Sequence, residues 1–390
     1  MKELAEPPIK MIAGVVWLSM VAALVGNILP VFLGVLAETF VLSGQQVGFL
    51  SGAELGGTCL ASLTAAYWFP RVRLRRVAML AFSAGVLGNV ATSLVNDYSS
   101  LLIVRFLTGF LGAGLLYAMT LGLIGQLKNP ERVIAIAIIA QVLSLSVGVS
   151  AVPVLMSHWQ LPGVTLAIAL LFSTGFLLIG IIPERAAVKA VGEARPSGFT
   201  LLPAGLLAAL IVFSLGLGGV WAFLERIGDG NGFSMVEMGN ALAVSGLFGG
   251  AGAIVAAVMG ARVHRILPLV VAIGMQMLSC FLLASRSDWP TYMAAIALFN
   301  FGWNLALPYL MGAIAATDAS GRFMVLIPAA QTGGYAVGPV VVGLMMVGND
   351  YQIAAWISLG VFAACMLMTL LFVSQIPKPY PTSATEAAAH

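Results

Sequence analysis

The sequence predicts an all-α membrane protein, with twelve transmembrane helices arranged as two pseudo-symmetric six-helix bundles. Three observations carry this prediction. Charged residues make up 8% of the chain and the mean hydropathy is +1.03, whereas an ordinary soluble domain carries about 25% charged residues. Apolar runs of about 20 residues recur from end to end, each long enough to cross a bilayer as a helix. The second half of the chain also echoes the first.

The elements follow in order. The first apolar run, 11–36, comes after "MKELAEPPIK"; it exceeds a signal-peptide core and is expected to be a retained helix. The second, 46–69, carries Glu54, and the third, 76–96, follows an arginine-rich loop. The fourth, 99–125, holds Arg105 and a series of glycines; the fifth and sixth are 132–156 and 162–183. "PERAAVKAVGEARPSGF", 183–199, with five charged residues and two prolines, is read as a linker. Six more runs follow at 200–224, 236–260, 266–286, 289–316, 323–347 and 352–375. The expected organisation is a first bundle over 1–183, a cytoplasmic linker over 184–199, a second bundle over 200–376 and a cytoplasmic tail over 377–390.

Basic residues set the expected orientation. With both termini in the cytoplasm, 15 of the 18 Lys and Arg fall inside: Lys2, Lys10, Arg71, Arg73, Arg75, Arg76, Lys128, Arg132, Arg185, Lys189, Arg195, Arg262, Arg265, Arg322 and Lys378. Arg226 and Arg286 fall outside, and Arg105 lies within a span. The expected location is the inner (cytoplasmic) membrane of a bacterium.

Internal repetition is a mark of transporters built from duplicated bundles. "NPERVIAIAIIAQ" (129–141) aligns with "ASGRFMVLIPAAQ" (319–331) at an offset of 190, matching Arg132 to Arg322 and Gln141 to Gln331. The same offset pairs Gly112 with Gly302, Gly122 with Gly312 and Gly148 with Gly338. "ELGGTCLASLTAAY" (54–67) lies over "LFGGAGAIVAAVMG" (247–260) at an offset of 193.

Three motifs then resemble a known family. "RFLTGFLGAGLLY" (105–117) is similar to the fourth-helix motif of the major facilitator superfamily of secondary transporters, an Arg followed by spaced glycines. "GGYAVGPVVVG" (333–343) is similar to its glycine-proline motif, but in the eleventh helix. "YWFPRVRLRRV" (67–77) keeps the arginines of its signature loop and lacks the Asp and Gly. The resemblance spans essentially the whole chain and implies a transporter of the proton-coupled drug or metabolite efflux branch. It also implies a cytoplasmic gate loop at Arg71, Arg73, Arg75 and Arg76.

Glu54 is the one charged residue between Glu38 and Arg71. A charge near a helix centre costs on the order of 3 kcal/mol. Glu54 sits about 12 Å deep and Arg105 about 9 Å deep from the same side, at 1.5 Å per residue. In the resembled bundle the second and fourth helices are neighbours, so the two are expected to pair. A carboxylate under the opposed pulls of burial and a guanidinium can titrate, while arginine stays charged. Glu54 is expected to carry the coupling proton with Arg105 tuning it; a static packing pair is the plainer reading.

Neutral polar residues come next. Asn300 and Asn304 are four apart, on one helix face. With Asn27, Tyr117, Gln141 and Gln331 they are assigned to a substrate cavity, against a plainer role in interhelical hydrogen bonding. Trp303, Tyr309 and Tyr335 are assigned to its wall, and Trp17 is a further candidate. Trp68, Trp159, Trp221 and Trp289 are read as anchors at the membrane interface. Pro30, Pro153, Pro308, Gly338 and Pro339 are candidate hinges. Glu225, Arg226 and Asp229 are read as a solvated loop in preference to an outer gate.

Other classes are excluded or set lower. None of the five lysines is followed by Ser or Thr, so no phosphate-cradling GxxxxGK[ST] loop exists to power a pump. His158, His264 and His390 lie in loops or the tail and no HExxH occurs, which argues against an enzyme or a metal site. Cys59, Cys280 and Cys365 fall in apolar runs and read as small hydrophobes. A net charge of +3 gives no footing for nucleic acid. The expectation is therefore a monomeric secondary transporter in a lipid bilayer, without cofactor. Its partners are protons and a small molecule, and it exports an amphipathic organic compound by proton antiport through alternating access. The alternative is proton-coupled movement of a small organic monoanion anchored by Arg105; a non-transporting receptor or a channel ranks below both.

Overall fold

The helices start where short polar side chains cap them, and the caps repeat. Ser43 Oγ accepts from the Gln46 amide at 3.3 Å while Gln46 Oε1 accepts from the Ser43 amide at 2.9 Å. Ser234 and Glu237 form the same reciprocal box. Asp97 caps through the Ser100 amide and Asp288 through the Thr291 amide. Each pair of caps lies 191 residues apart, 43 to 234 and 97 to 288. Such boxes satisfy amides that the first turn leaves unpaired, and their spacing extends the internal repeat.

The computed structural model describes residues 9–376 except 125, 127–129, 186–200, 261–262, 286 and 319–321. Most of the linker, the tail 377–390 and the basic residues Lys2, Lys128, Lys189, Arg195, Arg262, Arg286 and Lys378 lie outside the described residues, as do the side chains of Arg132 and Arg322. Among the described residues every regular element is helical.

The first half contains α1 (Ile9–Asn27), α2 (Leu29–Phe40), α3 (Gly44–Trp68), α4 (Leu74–Thr92), α5 (Tyr98–Leu107), a π-helix (Thr108–Gly114), α6 (Leu115–Ile124) and α7 (Pro130–Thr174). The second half contains α8 (Leu201–Trp221), α9 (Leu224–Gly230), α10 (Met235–Met259), α11 (Ile266–Leu283), α12 (Trp289–Thr317), α13 (Arg322–Met345) and α14 (Gln352–Val373). These make the twelve expected rods, with three differences. The first span is broken at Ile28 into α1 and α2. The fourth passes through the π-helix. The seventh breaks at 222–223, and α9 carries it further. α7 holds the fifth and sixth spans, which turn into each other at Gln160, φ +54°, between their expected limits of 156 and 162.

Among the described residues nine stretches are apolar and long enough to cross a bilayer, and one of them, Ile136–Leu178, holds two spans. α3 and α13 are not among the nine. These two less apolar helices pack on each other along the seam between the halves, and α7 and α10 form the second seam. Protein partners replace lipid there, so the seam tolerates Gly, Ser, Thr and Gln.

Candidate functional site

Glu54, on α3, and Arg105, on α5, form the buried pair that equal depth predicts. Arg105 is 1% exposed and Glu54 is 4% exposed. Arg105 Nε donates to Glu54 Oε2 at 2.5 Å, and Nη2 approaches the same oxygen. Nη1 donates to Asn89 Oδ1 at 3.1 Å and Thr92 Oγ1 at 3.2 Å, both from α4. The Phe32 ring of α2 lies 5.0 Å from the guanidinium carbon. Arg105 is thus enclosed by three neighbouring helices, while Glu54 Oε1 has no hydrogen-bond partner. The π-helix begins three residues after Arg105; such bulges concentrate at functional sites.

Glu54 lies in the wall of a central cavity of about 350 Å³ between the halves. Asn27, Tyr117, Gln141, Asn300, Trp303, Asn304, Gln331 and Tyr335 line it. Tyr309 does not: it is buried, and its hydroxyl donates to the Gly260 carbonyl at 3.2 Å, toward the far end of α10. Trp17 is likewise outside, donating to Thr174 Oγ1 at 2.9 Å. Trp221 is the converse correction. Rather than anchoring at the membrane surface it is fully buried in the cavity wall, donates to the Gly26 carbonyl of the other half at 3.0 Å, and packs against Phe299 and Trp303. Its place three residues from the end of the expected span suggests an anchor; the α9 extension of that span puts it deep instead. Arg105 is absent from the lining.

The amides serve both structure and cavity. Asn27 donates to the Gln141 main-chain oxygen at 3.3 Å, and Gln141 to Ser19 Oγ at 2.7 Å. Asn300 donates to Ser245 Oγ at 3.0 Å and Asn304 to the Asn300 main-chain oxygen at 3.0 Å.

The halves meet closely at the face opposite the termini. Arg226 Nη2 donates to the Gly34 carbonyl of α2 and lies 3.8 Å from Glu38; Glu225 and Asp229 flank it at 3.3 Å and 3.4 Å. Glu225 is 1% and Arg226 is 7% exposed, so the solvated-loop reading is overturned for these two; Asp229 is exposed, as that reading has it. One cation here joins α9 to α2 across the seam. Gly34 has no Cβ, which leaves room for the Glu225 carboxyl against it.

The arginine loop grips its own half. Arg75 Nε donates to the Ile182 carbonyl at 2.8 Å, Arg73 pairs with Glu184 at 3.5 Å, and Arg71 lies over Tyr67. Arg76 is exposed. Glu184 therefore supplies an acid that the loop itself lacks. Among the candidate hinges, Pro30 falls in the first turn of α2, next to the break at Ile28. α7, α12 and α13 continue as helix through Pro153, Pro308, Gly338 and Pro339, so helix interruptions fall elsewhere.

Two six-helix halves about a central cavity, largely apolar with a few polar groups, give the fold of a membrane transporter. A family model described as "Major Facilitator Superfamily" matches residues 15–317. The chain belongs to the Major Facilitator Superfamily. Comparison with curated proteins found no match. In fold it is similar to the nucleoside transporter NupG, at 13% identity and TM-score 0.67 over 94% of this chain and 100% of that one. It is similar to a bacterial homolog of the human lysosomal transporter Spinster, inward-facing and unoccupied, at 14% identity and TM-score 0.68 over 95% and 96%. It is also similar to the xylose transporter XylE from E. coli, partially occluded and inward open, at 12% identity and TM-score 0.74 over 94% and 99%.

Proposed function

We propose that the protein is a proton-coupled antiporter that exports a small amphipathic organic compound by alternating access. The supporting observation is Glu54. Among the described residues it is the one acid in the cavity wall, it is tied to Arg105 through a single oxygen, and its other oxygen has no partner. A carboxylate so placed gains or loses its proton according to what else occupies the cavity. Closure at the face opposite the termini agrees with the inward-facing forms of the fold neighbours. The aromatic lining, with Trp221, Trp303 and Tyr335, suits an apolar or flat compound.

The monoanion alternative needs Arg105 within reach of substrate. Its donors go instead to Glu54, Asn89 and Thr92, and it is 1% exposed. That arrangement favours the antiport reading.

Ethidium accumulation in everted vesicles under an imposed pH gradient tests the coupling. The native protein should concentrate the dye and release protons, while Glu54→Gln should insert normally, bind dye and lose gradient-driven accumulation. Gradient-driven accumulation retained by Glu54→Gln would remove Glu54 from the mechanism.

A further inference from the structure

The cavity's hydrogen-bonding groups are unevenly matched. The side-chain nitrogens of Asn27, Asn300 and Asn304 donate to the main-chain oxygens of Gln141, Ile296 and Asn300 at 3.3, 3.3 and 3.0 Å. A main-chain oxygen can only accept, so each amide nitrogen is fixed toward its own partner and the amide oxygen is left on the other side. No described residue donates to those three oxygens. Gln141 differs: its partner at 2.7 Å is the Ser19 hydroxyl, which donates as readily as it accepts, so its amide can turn either way. Glu54 Oε1, on a carboxylate 4% exposed, also accepts nothing.

Four acceptors therefore belong to residues lining one cavity. Against them stand the indole N–H of Trp303, the amides of Gln141 and Gln331, and hydroxyls such as those of Tyr117 and Tyr335, which turn either way. Among the described residues no Lys, Arg or His lines the cavity. The nearest guanidinium, Arg105, lies behind Glu54 and is occupied. An unpaired oxygen in a desolvated site costs about 1–3 kcal/mol, and a site built of such groups selects strongly against ligands lacking the complementary donor. Aromatic faces add attraction for positive charge: Trp303 stands 5.7 Å from both Trp221 and Tyr335, ring centre to ring centre.

We infer that the cavity selects a hydrogen-bond-donating organic cation, an aromatic amine protonated on nitrogen, whose N–H groups pair with Glu54 and the open amide oxygens. An anion meets only lone pairs and no cation. A quaternary ammonium has the charge but no N–H to give. This rests on the cavity being the substrate site, and not on proton coupling or the direction of transport.

Three matched probes test it on the purified full-length protein in nanodiscs, by quenching of tryptophan fluorescence: 2-(1-naphthyl)ethylammonium, its N,N,N-trimethyl analogue and 1-naphthylacetate. The primary ammonium should saturate, the trimethyl analogue should bind at least tenfold more weakly, and the carboxylate should not saturate. Asn304→Leu should weaken the primary ammonium about tenfold while changing the trimethyl analogue less than twofold. Asn304→Asp, which keeps an oxygen there, should retain or raise the preference and provides the reading if the leucine variant does not fold. Equal or tighter binding of the trimethyl analogue, or saturation by the carboxylate, overturns the donor-cation inference and leaves the cavity a substrate site. Failure of all three to saturate overturns both together.

Discussion

Arg105 has four kinds of neighbour, a carboxylate, an amide, a hydroxyl and a ring, and each answers part of the cost of holding a guanidinium away from water. Removing one member of such a pair leaves the other charged and stranded, which typically costs about 3–5 kcal/mol, whereas replacing both with apolar groups is often nearly neutral. Arg105→Ala should therefore lower the thermal unfolding midpoint sharply, and Glu54→Leu with Arg105→Leu should recover most of the loss. If single and double variants melt together, the pair is not a stabilising unit. Pairing was legible because both residues stand at one depth from one side. Asn89 and Thr92 were not, since an amide or hydroxyl in an apolar helix carries no sign of which neighbour it faces. Asn89 is the one Asn or Gln in α4, which is the signal that was available.

At the scale of elements, the second and fourth spans and their counterparts start with the same devices: a serine box for α3 and α10, an aspartate cap for α5 and α12. The Ser100 amide and hydroxyl hold the Asp97 carboxyl below its ordinary range, and Thr291 does the same for Asp288. Depressed carboxyls contribute stability above their unfolded pKa and lose it as pH falls through the folded one, so these two caps should fail only below about pH 4. Asp97→Ala with Asp288→Ala should lower the melting temperature at neutral pH and flatten its fall between about pH 4 and 2. An unchanged pH profile would mean the caps do not contribute. The 191-residue spacing of the caps was readable in the sequence, as S-x-x-Q against S-x-x-E and D-x-x-S against D-x-x-T. The turn at Gln160 was readable too, since it falls in the polar "SHWQLPG" between the fifth and sixth expected spans. Ile28 and the π-helix were not, because they lie in ordinary apolar runs, and the interior prolines that seemed to mark breaks are carried within continuous helix. Local composition does not reveal where a neighbour re-satisfies a freed backbone group.

For the whole molecule, the halves meet along two seams, α3 with α13 and α7 with α10, related by the repeat. The halves are asymmetric despite it. Asn89 and Arg105 join the third and fourth spans in the first half; at the 190 offset stand Ser279 and Ala295, joined by a neutral hydrogen bond of 2.7 Å. Among the described residues the charge in the cavity wall, Glu54, thus comes from the first half, while both halves supply amides and aromatic rings there. Closure at the face opposite the termini rests on Arg226 bridging to Gly34 and on backbone contact where Gly48 meets the Pro339 carbonyl. A methyl at Gly48 would collide with that carbonyl, so Gly48→Ala should hold the face apart. Spin labels on Val41→Cys and Val347→Cys, at positions 88% and 82% exposed on opposite halves, can measure this, because the native Cys59, Cys280 and Cys365 are all buried. The label distance should lengthen in Gly48→Ala; an unchanged distance would mean the seam closes without that contact.

The sequence alone determined the class, the number of spans, the repeat and the Glu54–Arg105 pair; of the nine residues it assigned to a substrate cavity, eight lie along the central cavity, where their role is a proposal. It could do so because a bilayer penalises each charge and unsatisfied amide, so the few polar residues kept at depth stand out against an apolar background. Tertiary structure decided what depends on direction around a helix and on partners far along the chain. It turned Arg105 behind Glu54 instead of into the cavity, carried Trp221 into the wall, took Tyr309 out of it, and made a buried clasp of Glu225 and Arg226. In each case the deciding quantity was which face of a nearly uniformly apolar helix met the other half, and an apolar helix has no periodic polar face from which that can be read.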